Sequence, residues 1–153
     1  MKKVIIQNAL IIPEIAKIVS EGESVTLKTK GNSMLPFIIG EHDSVILTKV
    51  KDIKLYDIVL VEVNYNQYVL HRVIKISDNQ LTLMGDGNIK GYEICSIEDV
   101  IATAVEVIGD VRKYNCRSEQ HIRKAKIWRA LLPIRRYLLA AYKLGLKYRY
   151  ENN

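Results

Sequence analysis

The hydrophobic period of this chain is two over most of its length, and that constrains the fold more than any other feature. From Ser24 onward, Val25, Leu27 and Thr29 fall on one face while Thr26, Lys28 and Lys30 fall on the other, the pattern of a half-buried strand. Runs of the same kind follow at residues 44–49, 57–63, 68–76, 80–84 and 100–108. Clusters such as Asn64-Tyr65-Asn66 and Ser77-Asp78-Asn79 separate them, where hairpin turns belong. Strands joined by turns without intervening helices predict an antiparallel, mainly β core. With 153 residues, 48% of them hydrophobic, the chain buries one core of ordinary size and has no length for a second full domain.

Both flanks change period. Over residues 9–21, Leu10, Ile11, Ile12, Ile15, Ile18 and Val19 recur at mostly helical spacing, and Gly22 is placed to end a short helix that packs one face down. The stretch before it, residues 4–12, is apolar but broken by Gln7 and Asn8 and ended by Pro13 and Glu14. It lacks the core and cleavage site of a signal peptide and reads as part of the folded protein. After Cys116 helix formers dominate, with Ile127, Trp128, Leu131, Leu138, Leu139 and Leu146 among many Lys and Arg, and Pro133 predicts two helices rather than one. The expected division is a helical segment over 1–23, a β domain over 24–116 and a basic amphipathic tail over 117–153. No window reaches the roughly 20 apolar residues of a membrane span, so a cytoplasmic location without a transmembrane helix is expected.

Charge divides along the same line. The formal +6 is the balance of −2 over residues 1–116 and +8 over residues 117–153, where ten Lys and Arg face two acids. Three readings fit such a tail: a solvated helix pair on the β core, peripheral contact of residues 122–150 with an anionic membrane, and nucleic-acid binding. The last is disfavoured because no helix-turn-helix pattern is visible. Two cysteines, Cys95 and Cys116, are too few for a disulfide framework or a paired-ligand zinc site, so neither metal nor cofactor is expected.

Three short segments carry candidate chemistry. Gly31-Asn32-Ser33-Met34-Leu35-Pro36 follows a strand and sets a serine between a flexible glycine and a rigid proline, although serine is also an ordinary turn residue. His71 sits in a strand on the face of Val69 and Val73, a position that is usually structural when it stands alone. Gly85-Asp86-Gly87-Asn88 reads first as a turn. Together Ser33, His71 and Asp86 supply a nucleophile, a base with a near-neutral pKa and a carboxylate to orient it, the inventory of acyl transfer.

These segments belong to a longer pattern. Asn32-Ser33-Met34-Leu35-Pro36, Gly40-Glu41-His42-Asp43-Ser44-Val45, Tyr56-Asp57-Ile58-Val59-Leu60-Val61, His71-Arg72-Val73 and Gly85-Asp86-Gly87-Asn88 occur in order. Their order and approximate spacing, over about residues 24–108, resemble the signal peptidase I family and its LexA-like, repressor-cleaving relatives. The histidine block is similar to that of the endoplasmic-reticulum type, which pairs serine with histidine rather than lysine. The resemblance implies a small antiparallel β-barrel-like peptidase core and a serine endopeptidase that cleaves a peptide or leader sequence. Ser33 would be the nucleophile, His71 the general base and Asp86 the acidic partner, with Asn32, Ser33 and Met34 positioning the substrate and its oxyanion. It further implies extended substrates along a strand edge, with small residues before the cut bond.

Three positions depart from the family. Gly31 stands where a serine usually helps bind the oxyanion, which leaves that task to the Ser33 N–H and the Asn32 amide. Tyr92 and Glu93 lie where the endoplasmic-reticulum type has a second aspartate; Glu93 is the alternative acid at that place, and the assignment stays with Asp86. No N-terminal membrane anchor of the family's kind is expected. Lys75, even-spaced from His71, is kept as an alternative base. A self-cleaving repressor is disfavoured because 23 residues cannot hold a DNA-binding domain and contain no Ala-Gly bond. The competing class is a non-catalytic peptide-binding module with the same fold.

Overall fold

The computed structural model describes residues 2–152, with side chains described for residues 10–152. Helix α1 (Lys2–Ser20) leads into strands β1 (Val25–Lys28), β2 (Ser44–Thr48), β3 (Ile58–Asn64), β4 (Gln67–Ser77), β5 (Gln80–Met84), β6 (Glu93–Ser96), β7 (Val100–Ile108) and β8 (Lys113–Asn115). Helices α2 (Glu119–Ala130) and α3 (Arg135–Glu151) follow. All strand pairs are antiparallel, in the order β1-β2-β7-β3-β4-β5-β6, with β8 added to β7.

The barrel-like closure expected from the resemblance is not what forms. The sheet is open: β1 and β6 are its two ends, and among the described residues no ladder joins them. It coils enough for β6 to approach β3, but a barrel needs hydrogen-bonded closure as well as curvature.

Residue order explains why β3 holds the centre. Ile58 and Leu60 point into one core with Val45, Leu47, Ala104 and Val107, while Val59 and Val61 point into a second with Val73, Leu81 and Leu83. A strand buried on both faces must be apolar at consecutive positions, which is why Ile58-Val59-Leu60-Val61 does not alternate. The hairpins are tight, and the left-handed turn residues Asn66 and Asp78 lie in the two turn clusters that the sequence marks. Two short strands, β6 and β8, were not among the expected runs.

Helix α1 covers the first core through Ile12, Ile15 and Val19, all under 5% exposed. Its buried stripe is narrower than the expected apolar face: Leu10, Ile11 and Ile18 are exposed. The helix starts earlier than the expected residue 9, at Lys2, and runs through Pro13; the side chains of the stretch before Leu10 lie outside the described residues. Ser118 caps α2 by accepting a hydrogen bond from the His121 N–H at 3.2 Å. Pro133 lies in a single 3-10 turn, Leu132–Ile134, that separates α2 from α3.

Candidate active site

Ser33 lies in the loop between β1 and β2, a loop tied back on itself at its base. Thr29 donates through both its N–H and its hydroxyl to the Asp43 carbonyl, and the Thr29 carbonyl accepts from the Glu41 N–H. The Asp43 carboxylate accepts from the Ile39 N–H at 2.7 Å and from Arg112 at 2.9 Å. At Gly40 the two arms of the loop touch so closely that a Cβ would sit 2.0 Å from the Gly31 carbonyl oxygen, which leaves room only for glycine.

The loop's tip is held by a second segment, the turn at residues 85–88 after β5. The Gly87 N–H donates to the Ser33 carbonyl at 2.9 Å, and a Cβ on Gly87 would fall 2.1 Å from the Asn32 carbonyl oxygen. A Cβ on Gly85 would lie 2.4 Å from the Ser33 carbonyl oxygen and 3.0 Å from His71 Nε2. The serine backbone and the outer imidazole nitrogen therefore converge on one point, and bare glycine lets them.

His71 is buried on β4, opposite Val59 on β3. Its Nδ1 lies 3.0 Å from Glu93 Oε2 at the start of β6. A carboxylate can only accept there, so Nδ1 carries the proton and Nε2 is left as the acceptor on the side of Gly85 and Ser33. The expected partner, Asp86, does not perform this role. Its carboxylate accepts from Arg72 Nε at 2.9 and 3.1 Å and from Arg72 Nη2 at 2.7 Å. The cause is strand alternation: neighbours His71 and Arg72 point to opposite sides of β4, so each needs its own acid. Burial opposes the Arg72 charge, but Asp86 outweighs it and holds the guanidinium above its ordinary value. Arg72 Nη1 also donates to the Tyr56 carbonyl and to His121 Nε2 at 3.1 Å. His121 must be neutral to accept that bond; burial first, and then Arg72, press its pKa down to about 3.

The tail completes the support. Trp128 Nε1 donates to the Asp86 carbonyl at 2.8 Å, and Arg135 Nη1 donates to the Asn88 carbonyl at 2.9 Å. Leu35 and Ile39, from the Ser33 loop, pack with Leu139, Tyr142 and Leu146 in a third apolar cluster. Both sides of the Ser33–turn junction are thus braced from α2 and α3, the solvated-pair reading of the tail's inner face.

Ser33, His71 and Glu93 line one cleft of about 310 Å³, together with the apolar Met34, Leu60 and Leu70 and with residues 27–31. Met34 is buried in that lining, whereas Asn32 is exposed and its side chain is not part of it. Lys75 is also outside it. A bulge between Val73 and Lys75 breaks the alternation, so Lys75 ends up exposed rather than on the face of His71. Cys95 and Cys116 are buried free thiols, whose pKa values burial pushes up to about 11 and about 12. Among the described residues no group of three His, Cys, Asp or Glu side chains is placed to hold a metal ion.

From the sequence the acid on His71 is assigned to Asp86, with Glu93 only as the alternative, and the braces on the turn are missed altogether. Glu93 was visible as an acid near the family's second aspartate, but only the pairing of β6 with β5 carries it to His71. The adjacency of His71 and Arg72 was the available signal, since two donor side chains on opposite faces of a strand cannot share one carboxylate. Nothing in the local sequence of Trp128 or Arg135 points to residues 85–88. Comparison of the chain with protein-family models and with curated proteins finds no match in either.

Proposed function

We propose that this chain is a serine endopeptidase of the signal peptidase-like type, with Ser33 as nucleophile, His71 as general base and Glu93 as the acid that orients it. The observation that carries this reading is the shared cleft, in which the proton on Nδ1 is fixed by Glu93 and Nε2 is presented on the side of Ser33. The five-block resemblance adds the reaction class.

In the reaction, His71 Nε2 takes the Ser33 hydroxyl proton as Oγ attacks the scissile carbonyl. Glu93 stabilises the imidazolium that forms. The Ser33 N–H binds the oxyanion, a role that Asn32 leaves to it because its side chain is exposed. His71 then gives its proton to the leaving amine, the C–N bond breaks, and an acyl-Ser33 ester remains. A water molecule deprotonated by His71 hydrolyses the ester and restores the serine. A histidine base suits this cleft because it needs no extreme desolvation to be neutral near pH 7, unlike a lysine.

The lining of the cleft supports an extended peptide as the substrate. Strand β1 is an end strand, and the segment of residues 27–31 that continues it borders the cleft. An extended peptide would pair there as an added strand, its side chains meeting the cleft's apolar residues. The resemblance favours small residues before the cut bond, which a substrate panel varied at that position tests.

The decisive experiment is labelling with a serine-reactive fluorophosphonate, read by mass spectrometry, on the wild type, Ser33→Ala and His71→Ala. Modification at Ser33 in the wild type and its loss in both variants is the expected result. Absence of labelling in buffer, detergent and lipid alike would refute the enzyme and favour a module that only holds peptides in the same cleft.

A further inference from the structure

The inner and outer faces of α3 are both apolar, which a helix lying on a protein surface does not need. Leu139, Tyr142, Leu146 and Tyr150 face the Ser33 loop and account for the packing of the helix. On the opposite side, Tyr137, Leu144 and Tyr148 follow one another at helical spacing and are 69%, 70% and 77% exposed. The preceding turn and α2 add Ile134 and Ile127, at 47% and 55%. Three large side chains aligned on one face of α3, rather than scattered singly, mark a surface that meets another apolar phase.

The charges around the stripe identify that phase. Arg136, Lys143 and Lys147 run along one flank of α3, and Arg123, Lys124 and Lys126 surround Ile127 on α2; all are solvent-exposed. The acids of the tail are only Glu119 and Glu151. Tyrosine and leucine in the stripe with lysine and arginine beside it is the composition of a helix lying in the headgroup layer of an anionic bilayer, ring hydroxyls at the interface and cations on phosphate. No helix among the described residues is long and apolar enough to cross a membrane, so the contact this face can make is peripheral.

We propose that the outward face of α2 and α3 docks on an anionic lipid bilayer, with Tyr137, Leu144 and Tyr148 entering the interface and the flanking Lys and Arg contacting lipid phosphate. The surface is independent of whether Ser33 is a nucleophile. Its position nonetheless has a spatial result: the inner face of the same helix touches Leu35 and Ile39, so a docked molecule holds the Ser33 loop about one helix diameter, ~10 Å, above the lipid.

Sedimentation of the full chain with vesicles tests the proposal. Phosphatidylcholine vesicles containing one third phosphatidylglycerol should carry the protein down at low salt, and pure phosphatidylcholine should bind it at least about tenfold more weakly. Leu144→Glu with Tyr148→Glu, and separately Arg136→Glu with Lys143→Glu, should each weaken binding by at least about tenfold while leaving the thermal midpoint unchanged, since all four positions are exposed. Sedimentation with neither vesicle, equal binding to both, or unchanged binding in both variants would overturn it. So would retention on single-stranded RNA in place of vesicles, which would mark the basic face as a nucleic-acid surface.

Discussion

An Asp86→Asn substitution leaves the Arg72 guanidinium buried with a neutral neighbour where it had a bidentate carboxylate. Arg72 and Asp86 are 2% and 5% exposed in their side chains, and their three contacts lie between 2.7 and 3.1 Å. Removing one partner of such a pair costs about 3–5 kcal/mol, because the remaining charge is stranded away from water. Against a typical total of ~5–15 kcal/mol this is a large fraction. At roughly 2–4 °C per kcal/mol for a domain of this size, the thermal midpoint should fall by about 6–20 °C. The His71–Glu93 contact is untouched by the change. At a temperature where the variant is still folded, its fluorophosphonate labelling rate should therefore stay within about tenfold of wild type, whereas loss of the base itself abolishes labelling. The two measurements are calorimetry and timed labelling on the same preparation. An unchanged midpoint combined with abolished labelling would refute the assignment and return the acid role to Asp86.

Two further outcomes follow from the same wiring. Glu93→Gln should slow labelling by roughly 10–100-fold, the equivalent of one charge-assisted hydrogen bond. Its effect on the thermal midpoint should be small, since Glu93 is 28% exposed in its side chain; normal labelling would show that Glu93 does not orient His71. His121 has a folded pKa pressed below its unfolded value, so the unfolded chain takes up a proton first as pH falls through about 6.5. Its contribution to stability is fully present above that pH and is lost toward the folded value of about 3, with roughly 2 kcal/mol gone between pH 7 and pH 5. Urea midpoints at those two pH values should show this loss in wild type and a clearly smaller one in His121→Gln; identical losses would exclude His121 as the source.

The sequence was most legible where one residue's neighbours decide its environment. Period-two runs placed six of the eight strands, and Asn66 and Asp78 fall where turn chemistry requires them. Pro133 divides the tail as its missing N–H requires. What was not legible depends on partners distant in sequence. Strands β6 and β8 are only four and three residues long and owe their extension to β5 and β7. Ile94 and Tyr92 on and beside β6 are exposed, so no hydrophobic pattern announces that edge. The bulge at Val73–Lys75 removed Lys75 from the face that even spacing assigned to it. The open path of the sheet likewise depends on which strands pair, and alternation within a strand does not encode that. For the site, Ser33 and His71 stood out through chemistry and order of blocks, while Glu93 could be preferred to Asp86 only once β6 was paired with β5.

The bracing of residues 85–88 from α2 and α3 also has a meaning in time. A ribosome delivers all eight strands before it delivers Trp128 and Arg135, the side chains that grip the Asp86 and Asn88 carbonyls. The β domain can therefore pair its strands during synthesis while the turn beneath Ser33 still lacks its outer supports. Seating of Trp128 and Arg135 on that turn therefore comes only after the strands have emerged, and the helices that carry these two side chains also carry the basic outer face.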